Sequence, residues 1–180
     1  MRIVEWAPAE TPIKLPPFGQ AFESHIEAYR NSAARANSAA AWTLLHKVLA
    51  GQGLPVGTVA FGKHGKPFFA EGGVHFSLSH ADGVVAVSVS DAPTGVDIER
   101  CDRPIRPHLV ERCLTEREKQ TYDGDFIRLW CRKECIVKLT GDGIYGYPDQ
   151  IETDDPAIVF AEKTIVFGGE TYRLCAAFSR

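Results

Sequence analysis

Apolar residues recur along the chain with two different periods, and the switches between them divide it into elements. From Phe22 to Leu49, alanines and leucines at helical spacing predict one or two helices, stopped by the glycines of AGQG at 50–53. TVAFGKHGKPFF, residues 58–69, then carries a turn at Gly62 to Pro67. VHFSLSHADGVVAVSVSD, residues 74–91, reads as two strands around Asp82-Gly83, with Val85, Val87 and Val89 alternating against smaller residues. TGVDIE at 94–99 continues as a further strand. After RCDRP the period changes back to helical. Thr115 with Glu118 has the form of a capping box opening a short helix, and a second helix follows over 126–140, ended by Gly141. The tail predicts strands again at Ile158 to Phe160, Thr164 to Phe167 and Tyr172 to Phe178. Helix and strand blocks thus occur twice. The expectation is an α+β protein of two similar lobes, each a small antiparallel sheet packed with helices and related by a pseudo-twofold, with an N-terminal lobe over 1–95 and a C-terminal lobe over 96–180.

Composition narrows the classes. Hydrophobic residues make up 44% and charged residues 24% of 180 positions, which is globular and enough for a sizeable core. A net charge of −3 points to no broad electrostatic binding of nucleic acid or anionic membrane, so an anionic ligand needs a local cluster of cations. No basic region followed by an apolar run opens the chain, and no apolar stretch reaches the roughly 18 residues a membrane helix requires, so a cytoplasmic location is expected. Five cysteines without a CxxC pair fit reduced thiols better than disulfides or structural zinc.

Within the helix at 126–140, WCRKECIVK raises a question of chemistry. Phe126, Leu129, Trp130, Ile136 and Val137 gather into one apolar stripe, Glu134 and Lys138 fall beside it, and Lys133 falls inside it. A snorkelling Lys133 and a Glu134–Lys138 surface pair one turn apart is one answer. In GVDIE the strand period sends Val96 and Ile98 to one face and Asp97 and Glu99 to the other. Next neighbours on one strand face lie roughly 7 Å apart, close enough for both carboxylates to reach one hard cation, although an ordinary solvated strand face also accounts for an isolated DxE. FSLSH offers Ser77, Ser79 and His80 where a strand runs into a loop, and Gly65-Lys66-Pro67 sets a cation on a stiff turn that an ordinary surface hairpin also explains. Gly141-Asp-Gly143 has the spacing of a phosphate loop but lacks the rest of such a pattern, and reads as a helix cap.

Taken in order, GKP, FSLSH, GVDIE and WxxKExxxK followed by GxG resemble the 4′-phosphopantetheinyl transferases, in particular the monomeric two-lobed type. That resemblance implies transfer of the phosphopantetheine arm of coenzyme A to a serine of an apo acyl or peptidyl carrier protein, with release of adenosine 3′,5′-bisphosphate. It implies Mg²⁺ held by Asp97, Glu99 and Glu134, with Lys133 and Lys138 near the pyrophosphate. By similarity His80 contacts a coenzyme phosphate, as do Ser79 and Lys66, and Arg35 resembles a basic position on the family's N-terminal helix. Glu134, or a water it orients, is the implied base, and Lys138 offsets charge on the leaving group. The rival classes are a Mg²⁺-dependent pyrophosphate hydrolase acting on coenzyme A and a non-catalytic coenzyme A or carrier-protein binding module.

Overall fold

The computed structural model describes residues 1–10, 12, 14–141 and 148–180. It is an α+β fold built around two three-stranded antiparallel sheets and one two-stranded ribbon. In the first sheet β1 (Arg2–Pro8), β5 (Val84–Ser90) and β4 (His75–Ala81) lie in the order β1-β5-β4. In the second, β6 (Thr94–Arg100), β8 (Glu170–Ser179) and β7 (Ile158–Phe167) lie in the order β6-β8-β7. The ribbon pairs β2 (Val59–Phe61) with β3 (Pro67–Phe69), joined by the expected turn.

Helix α2 (Ser32–Gly51) covers the first sheet, and α1 (Gln20–Glu27) packs against α2 and the ribbon strand β2. Asn31 opens α2 by accepting from the Ala34 N–H at 3.0 Å, which satisfies one of the orphan donors of the first turn. Phe18, Phe22, Trp42, Leu45 and Leu49 pack with Phe76, Val87 and Val89 of the sheet into the largest apolar cluster. Several elements go unread in the sequence or differ from their reading. β1 has only a short apolar run and becomes a strand because β5 supplies its ladder from Arg2↔Ser90 to Pro8↔Val84. The short helix α3 (Pro107–Cys113) starts on a proline that pre-sets its first φ. β7 is one ten-residue strand instead of two, because β8 pairs with it continuously through Ala161–Lys163.

On the second sheet lies α5 (Phe126–Thr140), started by Asp125 accepting from Arg128 N–H at 3.0 Å and ended by Gly141 at φ 80°, as the sequence predicts. Asp142 and Gly143 of the GxG spacing lie outside the described residues. The capping box is made reciprocally in α4 (Glu118–Thr121): the Thr115 N–H donates to Glu118 Oε2 at 3.0 Å and the Glu118 N–H donates to Thr115 Oγ1 at 3.1 Å.

β4 and β6 are each the edge strand of their own sheet, and these two edges run beside one another. Serine side chains of β4 stitch the seam: the Val96 N–H donates to Ser77 Oγ at 3.1 Å, and Ser79 Oγ donates to Asp97 Oδ1 at 2.9 Å. An edge that exposes unpaired N–H groups invites unwanted pairing, and here side chains from the neighbouring edge occupy it.

Candidate functional site

Gly95, Asp97 and Glu99 share the face of β6 that α5 covers. A Cβ built on Gly95 would stand 2.0 Å from the Cys135 carbonyl oxygen and 2.7 Å from the Leu139 nitrogen, so only glycine lets the helix lie this close. With the helix seated there, Trp130, Glu134 and Lys138, at i, i+4 and i+8, run along the strand on one helix face. Lys138 meets Asp97 at 2.7 Å, and the Trp130 indole N–H donates to Glu99 Oε1 at 3.1 Å. The alternation read from GVDIE holds, since Val96 and Ile98 enter the core on the opposite face. Asp97 is not a solvated group, however: it is 5% exposed beneath α5.

Three of the expected residues converge. Lys138 Nζ donates to Asp97 Oδ1, to Ser79 Oγ at 3.0 Å and to the Val96 carbonyl at 3.0 Å, while Ser79 Oγ donates to the same Asp97 oxygen. Burial works against the Lys138 charge, but Asp97 beside it, with smaller help from Cys135 and Glu134, raises its pKa. Lys138 therefore pairs across to the strand instead of with Glu134 one turn away. Glu134 is pushed up to about 7, first by burial and then by the negative charge of Asp97, against the pull of Lys138. His80, on the exposed side of the same strand end, has its pKa lowered by desolvation and then by the Lys138 charge, with Asp97 opposing. Glu99 accepts from Arg103 at 2.6 Å as well as from Trp130, and the Arg103 guanidinium lies 5.8 Å from the centre of the Trp130 ring. Arg103 escaped the sequence reading. Its signal is an arginine four residues beyond the second acid of DxE.

The remaining expected residues are bonded elsewhere. Lys133 is fully buried, and its three donors go to Glu118 Oε2 at 2.7 Å and to the Pro148 and Ile151 carbonyls at 2.9 and 2.6 Å. It neither snorkels nor joins Asp97, because it stands roughly 100° and 140° around the helix from Glu134 and Lys138. Lys66 Nζ donates to the Leu139 carbonyl at 2.8 Å, near the C-terminus of α5 where a cation also offsets the helix dipole. Arg35 donates to the Ile26 and Glu27 carbonyls at the end of α1.

Space for a ligand opens beside the cluster. A cavity of about 850 Å³ is bounded by Asn31 at the N-cap of α2 and Asn37 within it, His80 and Asp82 at the end of β4, and Glu99 and Arg103. Smaller hollows of about 200 and 240 Å³ lie against His25, Tyr29, Phe61 and His80, and against Lys66, Ser77 and Lys138. Among the described residues, no three His, Cys, Asp or Glu side chains stand close enough together to hold a metal ion. The donor chemistry nevertheless fits a small hard cation. Asp97 Oδ2 is buried with no hydrogen-bond partner among the described residues, and the Glu134 carboxyl beside that charge is held toward its neutral form. Both are the marks of a carboxylate group short of positive charge.

Comparison with known proteins gives a family match over the segment that carries the acids and α5. Residues 93–179, which contain β6 and α5, match the family model of the 4′-phosphopantetheinyl transferase superfamily. The chain is 36% identical over 115 residues to 4′-phosphopantetheinyl transferase psf-1 of Bacillus pumilus, covering 57% of this chain and 48% of that protein. It is 33% identical over 91 residues to 4′-phosphopantetheinyl transferase gsp of Aneurinibacillus migulanus, covering 46% and 38%. It is 35% identical over 118 residues to 4′-phosphopantetheinyl transferase AcpT of Salmonella typhimurium, covering 57% and 59%. The chain thus spans about half the length of the curated relatives it matches. Residues 93–179, where the acids of GVDIE and the helix WCRKECIVK come together, are thus similar to the 4′-phosphopantetheinyl transferase superfamily.

Proposed function

We propose that the protein transfers the 4′-phosphopantetheine arm of coenzyme A to a serine of an apo acyl or peptidyl carrier protein, releasing adenosine 3′,5′-bisphosphate. The observation that carries this reading is the buried Ser79–Asp97–Lys138 cluster, with one carboxylate oxygen unpartnered and Glu134 pushed up to about 7 beside it. Asp97, Glu99 and Glu134 are the groups that would hold Mg²⁺. When bound, Mg²⁺ supplies positive charge to the pyrophosphate oxygens.

The chain's own groups do the rest. Residues 1–95 form the coenzyme side, where the cavity at His80 takes the nucleotide end and His80 donates to a phosphate. Residues 96–180 supply the acids and α5. Lys138, whose three donors hold Asp97, Ser79 and the Val96 carbonyl, offsets through its field, without a direct hydrogen bond, the charge that builds on the leaving phosphate as the P–O bond of the pyrophosphate breaks. Glu134, or a water it orients, accepts the hydroxyl proton of the incoming serine as the serine oxygen bonds to phosphorus. Lys66, Lys133 and Arg35 act through the scaffold, since each already spends its charge on protein carbonyls or on Glu118. Because Ser79 and Lys138 bridge the two sheets within one chain, a monomer suffices for the site. The reading places the protein in the cytoplasm, where coenzyme A is available; separately, no helix among the described residues is long and apolar enough to cross a membrane.

The test is incubation with coenzyme A, Mg²⁺ and a panel of apo carrier proteins, followed by intact mass. The expected result is a carrier protein heavier by one phosphopantetheine arm, with Asp97→Ala and Glu134→Gln each slower by several orders of magnitude. Release of free 4′-phosphopantetheine with no carrier modified would overturn the reading in favour of hydrolysis. Coenzyme binding with neither product would favour a binding module.

A further inference from the structure

The sequence suggests Ser79 as a phosphate contact, but its hydroxyl is committed elsewhere. A serine has one proton to donate, and Ser79 gives it to Asp97 Oδ1 at 2.9 Å while accepting from Lys138 at 3.0 Å. The side chain lies inside the seam, 7% exposed, at a point fixed by the pairing of Ser79 with Ala86 across β4 and β5. Both bonds that Asp97 receives from side chains fall on Oδ1, and Oδ2 is left buried and unpartnered among the described residues. A carboxylate turns easily about its terminal torsion, which is broad and two-fold. A single lysine on a flexible stem does not stop that turn, whereas a hydroxyl anchored to a strand does.

We propose that Ser79 is a positioning residue: its hydroxyl, held between Asp97 and Lys138, locks the Asp97 carboxylate in the orientation that leaves Oδ2 free to ligate a divalent cation. The inference rests on the metal reading above, and it replaces a direct Ser79 contact to the coenzyme. Groups that orient a metal-binding side chain typically influence affinity by about 10–100-fold when removed.

Mn²⁺ serves as the probe, titrated against the full chain with and without saturating coenzyme A, with the free ion followed by electron paramagnetic resonance. Ser79→Ala should weaken Mn²⁺ binding by about 10–100-fold while leaving coenzyme A affinity, measured in chelator, at the wild-type value. Ser79→Thr, which keeps a hydroxyl, should recover part of the loss. Ser77→Ala removes the other seam hydroxyl, the one on the Val96 N–H, and should leave Mn²⁺ affinity unchanged; thermal unfolding confirms that each variant is folded. Unchanged Mn²⁺ affinity in Ser79→Ala overturns the positioning role, as does an equal loss in Ser77→Ala, which would signal a loosened seam. A fall in coenzyme affinity in chelator, with Mn²⁺ binding intact, overturns it in favour of a phosphate contact. If the wild-type chain shows no saturable Mn²⁺ binding, the metal reading itself fails and the inference falls with it.

Discussion

Replacing Gly95 by alanine tests how the site is assembled. The new Cβ would sit 2.0 Å from the Cys135 carbonyl oxygen, 2.9 Å from the Cys135 carbonyl carbon and 2.7 Å from the Leu139 nitrogen. All three are backbone atoms, so no rotamer change relieves the clash. Cβ atoms essentially never approach closer than 3.0 Å, so α5 must withdraw from β6 by about 1 Å or the strand must buckle. Overpacking of this kind costs about 1–3 kcal/mol. A gap of ~0.5–1 Å also forfeits a quarter to a half of each dispersion contact it opens, here around Cys131, Cys135 and Cys175, all fully buried. The combined expectation is a loss of at least about 3 kcal/mol. Equilibrium urea unfolding, followed by tryptophan fluorescence, reads it as a lower midpoint at unchanged slope. The withdrawal carries Glu134 and Lys138 with it, so the proposed phosphopantetheine transfer by the fraction still folded should also fall, by about 10–100-fold for a misplacement of about 1 Å. A Gly95→Ala protein within about 0.5 kcal/mol of wild type, the range of an ordinary surface change, would refute the claim that close helix–strand approach holds the site.

Two other outcomes follow from charges the fold buries. Lys133→Met leaves Glu118 and the Pro148 and Ile151 carbonyls without their shared donor and should cost about 3–5 kcal/mol. Lys133→Met combined with Glu118→Gln should cost less than the sum of the two single variants in urea unfolding, and strict additivity would show that the pair is not coupled. For Glu134, the folded carboxyl holds its proton up to about 7, above the roughly 4.3 of an unfolded glutamate. Between those values the native state binds more protons than the unfolded one, so stability should fall as pH rises through the window, by on the order of 1–3 kcal/mol. Glu134→Gln should flatten that decline, as should a saturating divalent cation, and a wild-type curve that rises over the same range would contradict the assignment.

What the sequence determined by itself is local. The caps at Thr115/Glu118 and Gly141 and the hairpin turn at Asp82-Gly83 are legible because each closes backbone hydrogen bonds within a few residues of itself. The alternation in GVDIE and the helical period of 126–140 are equally local, and they were enough to put Asp97 with Glu99 and Glu134 with Lys138 on common faces. Motif order then pointed to the superfamily that residues 93–179 match. Partner choice depended on the tertiary structure. Lys133 and Lys138 look alike in sequence, yet one closes a buried pair with Glu118 and the other reaches across a seam to Asp97 and Ser79. The difference is set by how far around α5 each stands once Gly95 has fixed which face lies on the strand. β1 became a strand only because β5 offered it a ladder. The seam of β4 against β6 needs two edges from distant segments to meet, and its serines acquire their roles from that meeting. A residue's period specifies the direction in which it points, but only the packed elements decide what stands there to receive it.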